Sequence, residues 1–398
     1  MNTVTPSRVL TSEFAVLLGA TLAIFASFGM LVLALPLYVR DVLDASDLGV
    51  GVAIGVASIG AIIGGPAAGR VADRRGRRII VIAGAAAMAL SYVALSLGPP
   101  LEVIVPLRAV VGVAEAAFVV AAYTMATDLA PATRQGEAMS LITASAYGGL
   151  ALGPIAADFI LGDGRFALVW VVAAAVTLAG GIAASRLRES RPHTGDAPSA
   201  TWLPPRAALL PGFVLLLALI GFGGFNAFVA LYAREIGFER PGVVFVVFAG
   251  VVVALRVIGR TLPDRLGART AASTACVLIA AGLVLVAAWP SRPGLLLGTA
   301  IFAGGQALAY PAIALLATAR ATLAERSAAV GAVIAFVDVA LAAGAFVLGI
   351  AADAWSYRAV FAAGALSAAA GLVLLWWMST TEAGFAGRER AADVGEGA

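Results

Sequence analysis

The sequence predicts an all-α membrane protein of twelve transmembrane helices arranged as two pseudo-symmetric six-helix bundles. Three observations carry this expectation. Apolar residues make up 61% of the 398 positions and charged residues only 12%, with a mean hydropathy of +0.99, which leaves no polar surface for a water-soluble globule. Apolar runs long enough to cross a bilayer follow one another along the whole chain. The first half of the chain also recurs in the second at a fixed offset.

A bilayer core of roughly 30 Å is crossed by about 20 apolar residues in helical form. Such runs lie at 14–38, 48–69, 79–97, 104–127, 138–161, 166–184, 209–233, 242–262, 270–289, 294–318, 328–352 and 360–378. The first exceeds the length of a cleavable signal and lacks a strongly basic flank, so it reads as a retained helix. The polar, proline-rich stretch "SRLRESRPHTGDAPSATWLPPR" at 185–206 reads as a linker. It separates a bundle at 1–184 from a second at 207–382, with a disordered tail expected over 383–398. Six arginines (Arg40, Arg165, Arg234, Arg240, Arg292 and Arg358) lie between spans on one side, and Arg108 and Arg256 lie within spans. The remaining eighteen fall on the other side. By the positive-inside rule this bias places the linker and both termini in the cytoplasm. The Arg-only, Ala-rich composition suggests a bacterial plasma (inner) membrane.

All 26 basic residues are arginine, which excludes mechanisms built on a phosphate-binding or Schiff-base lysine. A single cysteine, Cys276, and a single histidine, His193, allow neither an internal disulfide nor a histidine-rich metal site. No nucleophile and base pair or ligand spacing stands out; neither an enzyme, a cofactor nor a metal is expected. The net charge of +3 is a matter of membrane side, and no nucleic-acid partner is expected.

The stretch "GRVADRRGRR" from Gly69 to Arg78 sets five arginines and an aspartate between the second and third spans. A second copy, "GRTLPDRLGAR" at 259–269, lies between the eighth and ninth. Asp73, Arg74, Gly76 and Arg78 match Asp264, Arg265, Gly267 and Arg269 at one offset of 191 residues, which also aligns Thr127 with Thr318 and Trp170 with Phe361. The segment "IAAD" recurs at Ile155 and Ile350. On these residues the chain resembles the major facilitator superfamily over essentially its whole length. The family's loop signature stands at Gly69, Asp73, Gly76, Arg77 and Arg78, echoed by Asp264, Gly267 and Arg269. The stretch "LRAVVGVAEAAF" is similar to the family's pattern of an arginine followed four residues on by glycine, here Arg108 and Gly112. Gly149, Gly153 and Pro154 in "YGGLALGPIAAD" resemble a pattern of proton-driven exporters, although Ala156 and Ala157 replace its closing glycine pair. Ordinary packing of small residues is the competing reading.

The resemblance implies two bundles rocking about a midplane site. It places Asp73 opposite the positive N-terminal end of span eleven near Ser327, and Arg77 beside Asp128. Contacts of this kind, worth about 0.3–1 kcal/mol each and made only in one state, bias a two-state equilibrium without freezing it.

Charges inside spans cost roughly 2.5–3.5 kcal/mol each at mid-helix, which singles out Arg108, Glu115, Arg256 and Asp338 as candidates for proton coupling. Arg108 and Glu115 share a helix face about 10 Å apart along the axis. Glu115 can carry a proton between the two sides, or serve only to neutralise Arg108 or another helix. Its mirror position is Gln306, and Asp338 mirrors Tyr147. Arg256 is placed to snorkel or to pair with Asp338. By resemblance, spans one, four, seven and ten wall the cavity with parts of two, five, eight and eleven. Its candidates are Phe28, Phe118, Tyr123, Tyr147, Phe225, Asn226, Gln306, Tyr310 and Phe336. Most other side chains there are Ala, Gly, Val and Leu, a lining for amphipathic or lipophilic solutes rather than sugars. The expected function is proton-coupled efflux by a monomer whose partners are solute, protons and lipid. The alternatives are uptake by proton symport, for which Thr21, Ser27 and Asn226 offer few polar groups, and a membrane sensor that moves nothing.

Overall fold

The computed structural model describes residues 9–131, 134–162, 164–189, 205–258, 266–322 and 325–395. For residues 69, 72–74, 257, 258, 326, 327, 330 and 379–395 it describes the backbone alone. The described residues form twelve α-helices and no strand. The first six are α1 (Ser12–Asp41), α2 (Asp47–Arg75), α3 (Arg77–Ser96), α4 (Leu101–Leu129), α5 (Gln135–Leu161) and α6 (Phe166–Ala184). The second six are α7 (Arg206–Glu235), α8 (Gly242–Ile258), α9 (Ala268–Ala288), α10 (Arg292–Arg320), α11 (Arg326–Ala354) and α12 (Tyr357–Gly395). Among the described residues eleven helices are long and apolar enough to cross a membrane, and α8 is a shorter apolar helix. The near end of the molecule is the one where α1 starts and α12 finishes; the far end is opposite. Exposed Trp289 and Trp355 stand where α9 and α11 finish at the far end, as amphipathic rings do at a membrane interface.

Two boundaries differ from the sequence reading. The arginine cluster is not a loop: α2 continues to Arg75 and α3 starts at Arg77, so the cluster rides on two helix ends joined through Gly76. Arginine and alanine favour helix, and only Gly76, at φ 100° and ψ 151°, breaks it. At the other end of the chain, α12 runs helical to Gly395 where a disordered tail was expected; four alanines and two arginines, both strong helix formers, lie in 383–395 beside three glycines. Its membrane-crossing part is Tyr357–Met378.

The duplication is visible in local geometry. Gly267 has φ 77° and ψ 147° and opens α9 as Gly76 opens α3. Tyr38 meets Trp170 edge-on with ring centroids 6.1 Å apart, and Tyr232 meets Phe361, the mirror of Trp170, at 5.1 Å. These rings anchor the two bundle cores. Within the first bundle α5 lies against α1 at backbone distance: a Cβ on Gly153 would overlap the Ala26 carbonyl, and one on Gly29 would stand 2.9 Å from the Pro154 ring. Gly149, Gly153 and Pro154 are therefore packing residues, and small side chains suit close helix approach in lipid.

Candidate functional site

The site is the seam between the bundles, and the far end of that seam is closed. There α2 and α11 come together through small residues: a Cβ on Gly51 would overlap the Ala345 carbonyl, and one on Gly55 would lie 3.1 Å from the Ala342 oxygen. Above this contact the Asp353 carboxylate of α11 accepts from both the Asp47 N–H (2.7 Å) and the Leu48 N–H (2.9 Å) at the start of α2. The first N–H groups of a helix have no partner within it and carry the positive end of its dipole, so a carboxylate there is strongly favoured. Tyr357 donates to Asp47 Oδ1 at 2.9 Å. Across the seam, Asp158 of α5 accepts from the Gly242 N–H at the start of α8, at 3.2 Å. Arg234 at the end of α7 pairs with Asp41 at the end of α1.

Asp158 and Asp353 are the last residues of the two "IAAD" segments. Each bundle thus offers one carboxylate to the helix start of the other, and the two contacts are related by the duplication: donors and acceptors are both 195 positions apart. The sequence exposes the repeat but not the role, because the receiving groups are backbone N–H groups that no side-chain pattern marks.

At the near end, Glu189 organises the arginine cluster. Its Oε1 accepts from the N–H groups of Arg77 (2.6 Å) and Arg78 (3.2 Å), capping α3. Arg77 also forms the ion pair with Asp128 that the resemblance implied. Nothing in the sequence marks Glu189 for this task. Arg269, at the start of α9, is exposed. At Gly69, Asp73 and Ser327 only the backbone is described, and the whole of Asp264 lies outside the described residues. Gly76→Ala is expected to lower the thermal midpoint of the purified protein, because its φ/ψ region costs a side-chain-bearing residue about 1–3 kcal/mol and a Cβ there would also strike the Glu189 carboxylate. Gly331→Ala is the control, since nothing lies within 4 Å of its added Cβ.

The polar groups gather at mid-height. Glu115 is the midpoint of α4 and its mirror, Gln306, the midpoint of α10. Glu115 is half-buried and forms no hydrogen bond or ion pair with another described residue. The charges it faces are Arg108 on its own helix and Asp338 on α11. Asp338 is likewise half-buried and unpaired. Arg108 is buried, donates from Nε to the Ala53 carbonyl of α2 at 3.2 Å and lies 5.9 Å from the Phe28 ring. Helical rise keeps it out of ion-pair range of Glu115.

Arg256 does not snorkel and does not reach Asp338. Its Nη2 donates to Tyr147 Oη of the opposite bundle at 3.1 Å, with the guanidinium 4.5 Å from that ring. Tyr123 and Tyr310 lie within reach of the same charge. Of the expected cavity residues, Phe28, Tyr123, Tyr147, Asn226, Gln306, Tyr310 and Phe336 are half-buried. Asn226 donates to its own helix at the Phe222 carbonyl, 3.0 Å, and Phe336 packs against Phe213 with centroids 5.2 Å apart and the rings tilted by 59°. Phe118 and Phe225 are corrections: both are sealed in the bundle cores. Phe118 lies behind Gly84 of α3, and Phe225 belongs to a ring cluster with Phe248, Phe302 and Phe361. In helices apolar on every side, an aromatic residue carries no mark of which face it serves.

A family model for the Major Facilitator Superfamily matches residues 17–289 and again 212–394. An uncharacterised MFS-type transporter of Salmonella typhimurium is 29% identical over 368 residues, covering 88% of this chain and 92% of its own. Another from Burkholderia pseudomallei is 27% identical over 395 residues, 96% of either chain. Among solved structures, a mutant of the nucleoside transporter NupG superposes with a TM-score of 0.80 at 13% identity, covering 92% of this chain and 100% of that one. A POT family transporter crystallised with a conjugated peptide gives 0.77 at 12% identity, over 93% of this chain and 96% of its own. At such identities the likeness is one of fold.

Proposed function

The chain belongs to the major facilitator superfamily and is a multi-pass membrane transporter of small solutes; we propose that it exports amphipathic or lipophilic compounds in exchange for protons, by alternating access. With the near end cytoplasmic, as the arginine bias indicates, the structure stands shut toward the outside, its seam sealed by α2 on α11 and α5 on α8. The observation that carries the proposal is Glu115. A half-buried carboxyl group at the midpoint of a spanning helix, with no hydrogen bond or ion pair among the described residues and Asp338 of the other bundle facing it, is costly unless it has a task. Taking up and releasing a proton is the task its chemistry suits, and its mirror Gln306 keeps a similar shape without an ionisable group. One proton moving down the membrane potential supplies about 2.3 kcal/mol per 100 mV. A tenfold solute gradient requires only about 1.4 kcal/mol.

The experiment is flux in everted membrane vesicles carrying a preset proton gradient, read with a dye that reports internal pH as neutral, cationic and anionic amphiphiles are added one at a time. Export by antiport predicts that a transported compound collapses the gradient in vesicles containing the protein and not in those lacking it. Proton and solute moving in the same direction would assign uptake by symport instead, and a pH record indifferent to every compound would count against proton coupling.

A further inference from the structure

Arg256 is a cation at mid-height with no counter-ion among the described residues. Its Nε is buried with no hydrogen-bond partner. Arg108, the other arginine within a span, also has a buried nitrogen without a hydrogen-bond partner, Nη1, but it has a carbonyl on its Nε and faces the Glu115 carboxylate. A second donor is orphaned nearby. Gln306 Nε2 is buried without a partner and lies one turn from Tyr310 on the same face of α10. Its neighbours Ala303 and Ala307 pack with Val252, Leu255 and Tyr147 at the junction of α5, α8 and α10. Of three tyrosine hydroxyls near the charge, Tyr147 accepts from it directly, while Tyr123, which also pairs with Thr143, and Tyr310 lie within its electrostatic reach.

The polar inventory of this junction is weighted toward donors. Guanidinium and amide N–H groups donate, the Gln306 carbonyl and the tyrosine oxygens are neutral acceptors, and no anionic acceptor pairs with Arg256 among the described residues. An unpaired buried donor costs about 1–3 kcal/mol, and more when charged. A ligand carrying its own acceptor oxygens removes that cost, and a planar carboxylate matches the guanidinium fork. The apolar residues beside the charge, Val252, Ala303 and Ala307, suit a hydrocarbon or aromatic body attached to it.

We propose that the junction of α5, α8 and α10 is an anion subsite, in which Arg256 binds the carboxylate of an amphipathic organic acid between the two bundles while Tyr123, Tyr147, Tyr310 and Gln306 orient it. This rests on the transport reading and narrows its solute class. Because Arg256 belongs to one bundle and Tyr147 to the other, the solute is held by both. The seam that must part for its release is then the one that binds it.

The test is calorimetric titration of the full-length protein in nanodiscs of zwitterionic phosphatidylcholine, which excludes a lipid of net negative charge as the source of the signal. The probes are cinnamate and its neutral isostere cinnamamide. The subsite predicts that cinnamate binds at least about tenfold more tightly than the amide, a difference of ~1.4 kcal/mol. Arg256→Gln removes that preference, and Arg256→Lys, which keeps the charge and serves as a folding control, retains part of it. Equal binding of the two probes, failure of the wild type to bind either, or a preference that survives Arg256→Gln would each overturn the assignment. The flux assay stands apart from this one. A protein that prefers the acid but moves no solute keeps the subsite and loses the transport reading; one that moves solute without the preference does the reverse.

Discussion

Glu115→Gln is expected to abolish proton-driven solute accumulation while leaving the fold and passive solute exchange intact. A single proton crossing 100 mV sustains a solute ratio of roughly 50-fold at most, from about 2.3 kcal/mol at ~1.4 kcal/mol per decade; without a titrating group the ratio falls to about one. The substitution is mild in every other respect. Glutamine has the shape of glutamate, and the second bundle already carries glutamine at the mirror position, the midpoint of α10. Glu115 holds no hydrogen bond or ion pair among the described residues, so its neutralisation orphans no partner, and the far charge of Arg108 remains anchored on the Ala53 carbonyl. Counterflow in proteoliposomes separates the two outcomes. Exchange without accumulation supports the assignment, whereas accumulation that persists in the variant moves the proton to Asp338.

The second large effect concerns the far-end seal. Asp158→Ala and Asp353→Ala each remove a carboxylate from a helix start in the other bundle, and loss of such a cap costs about 0.5–2 kcal/mol. Since 1–2 kcal/mol changes a two-state ratio by about 5–30-fold, each variant shifts the protein toward opening at the far end, and the double variant further than either. Alanine is the informative replacement, because asparagine still caps a helix. The readout is the rate at which a membrane-impermeant maleimide labels a cysteine at Ala342, which is buried under the seal, in a Cys276→Ala background. Labelling should accelerate several-fold in each single variant, and more in the double. An unchanged rate in all three would show that the glycine contacts of α2 and α11 hold the seal alone. The same logic explains why the contacts come in a reciprocal pair: two weak symmetric latches close a seam evenly, yet leave it free to open.

Much of this was legible in the chain. Hydropathy gives the twelve helices, because a span is long and its composition extreme. The fixed offset gives the two bundles and pairs Glu115 with Gln306 and Tyr147 with Asp338 before any coordinate is known. What stayed hidden has a common cause. Spans that are apolar all round have no amphipathic stripe, so Phe118 and Phe225 in the cores look the same in sequence as Phe28 beside Arg108. Contacts between bundles join residues more than a hundred positions apart, as Arg256 and Tyr147 are, and no local pattern foretells them. The end of α2 was misread because a run of arginines suggests a loop, whereas arginine is a good helix former and one glycine makes the break.

The central claim is that the far end, closed in this structure, opens as the near end closes. Double electron–electron resonance tests it directly, with one spin-label pair across the far end at Asp44 and Glu239 and one across the near end at Gln135 and Thr270, all exposed positions. On changing pH or adding a transported solute, the first distance is predicted to lengthen as the second shortens. Two distances that stay fixed, or that lengthen and shorten together, would contradict it.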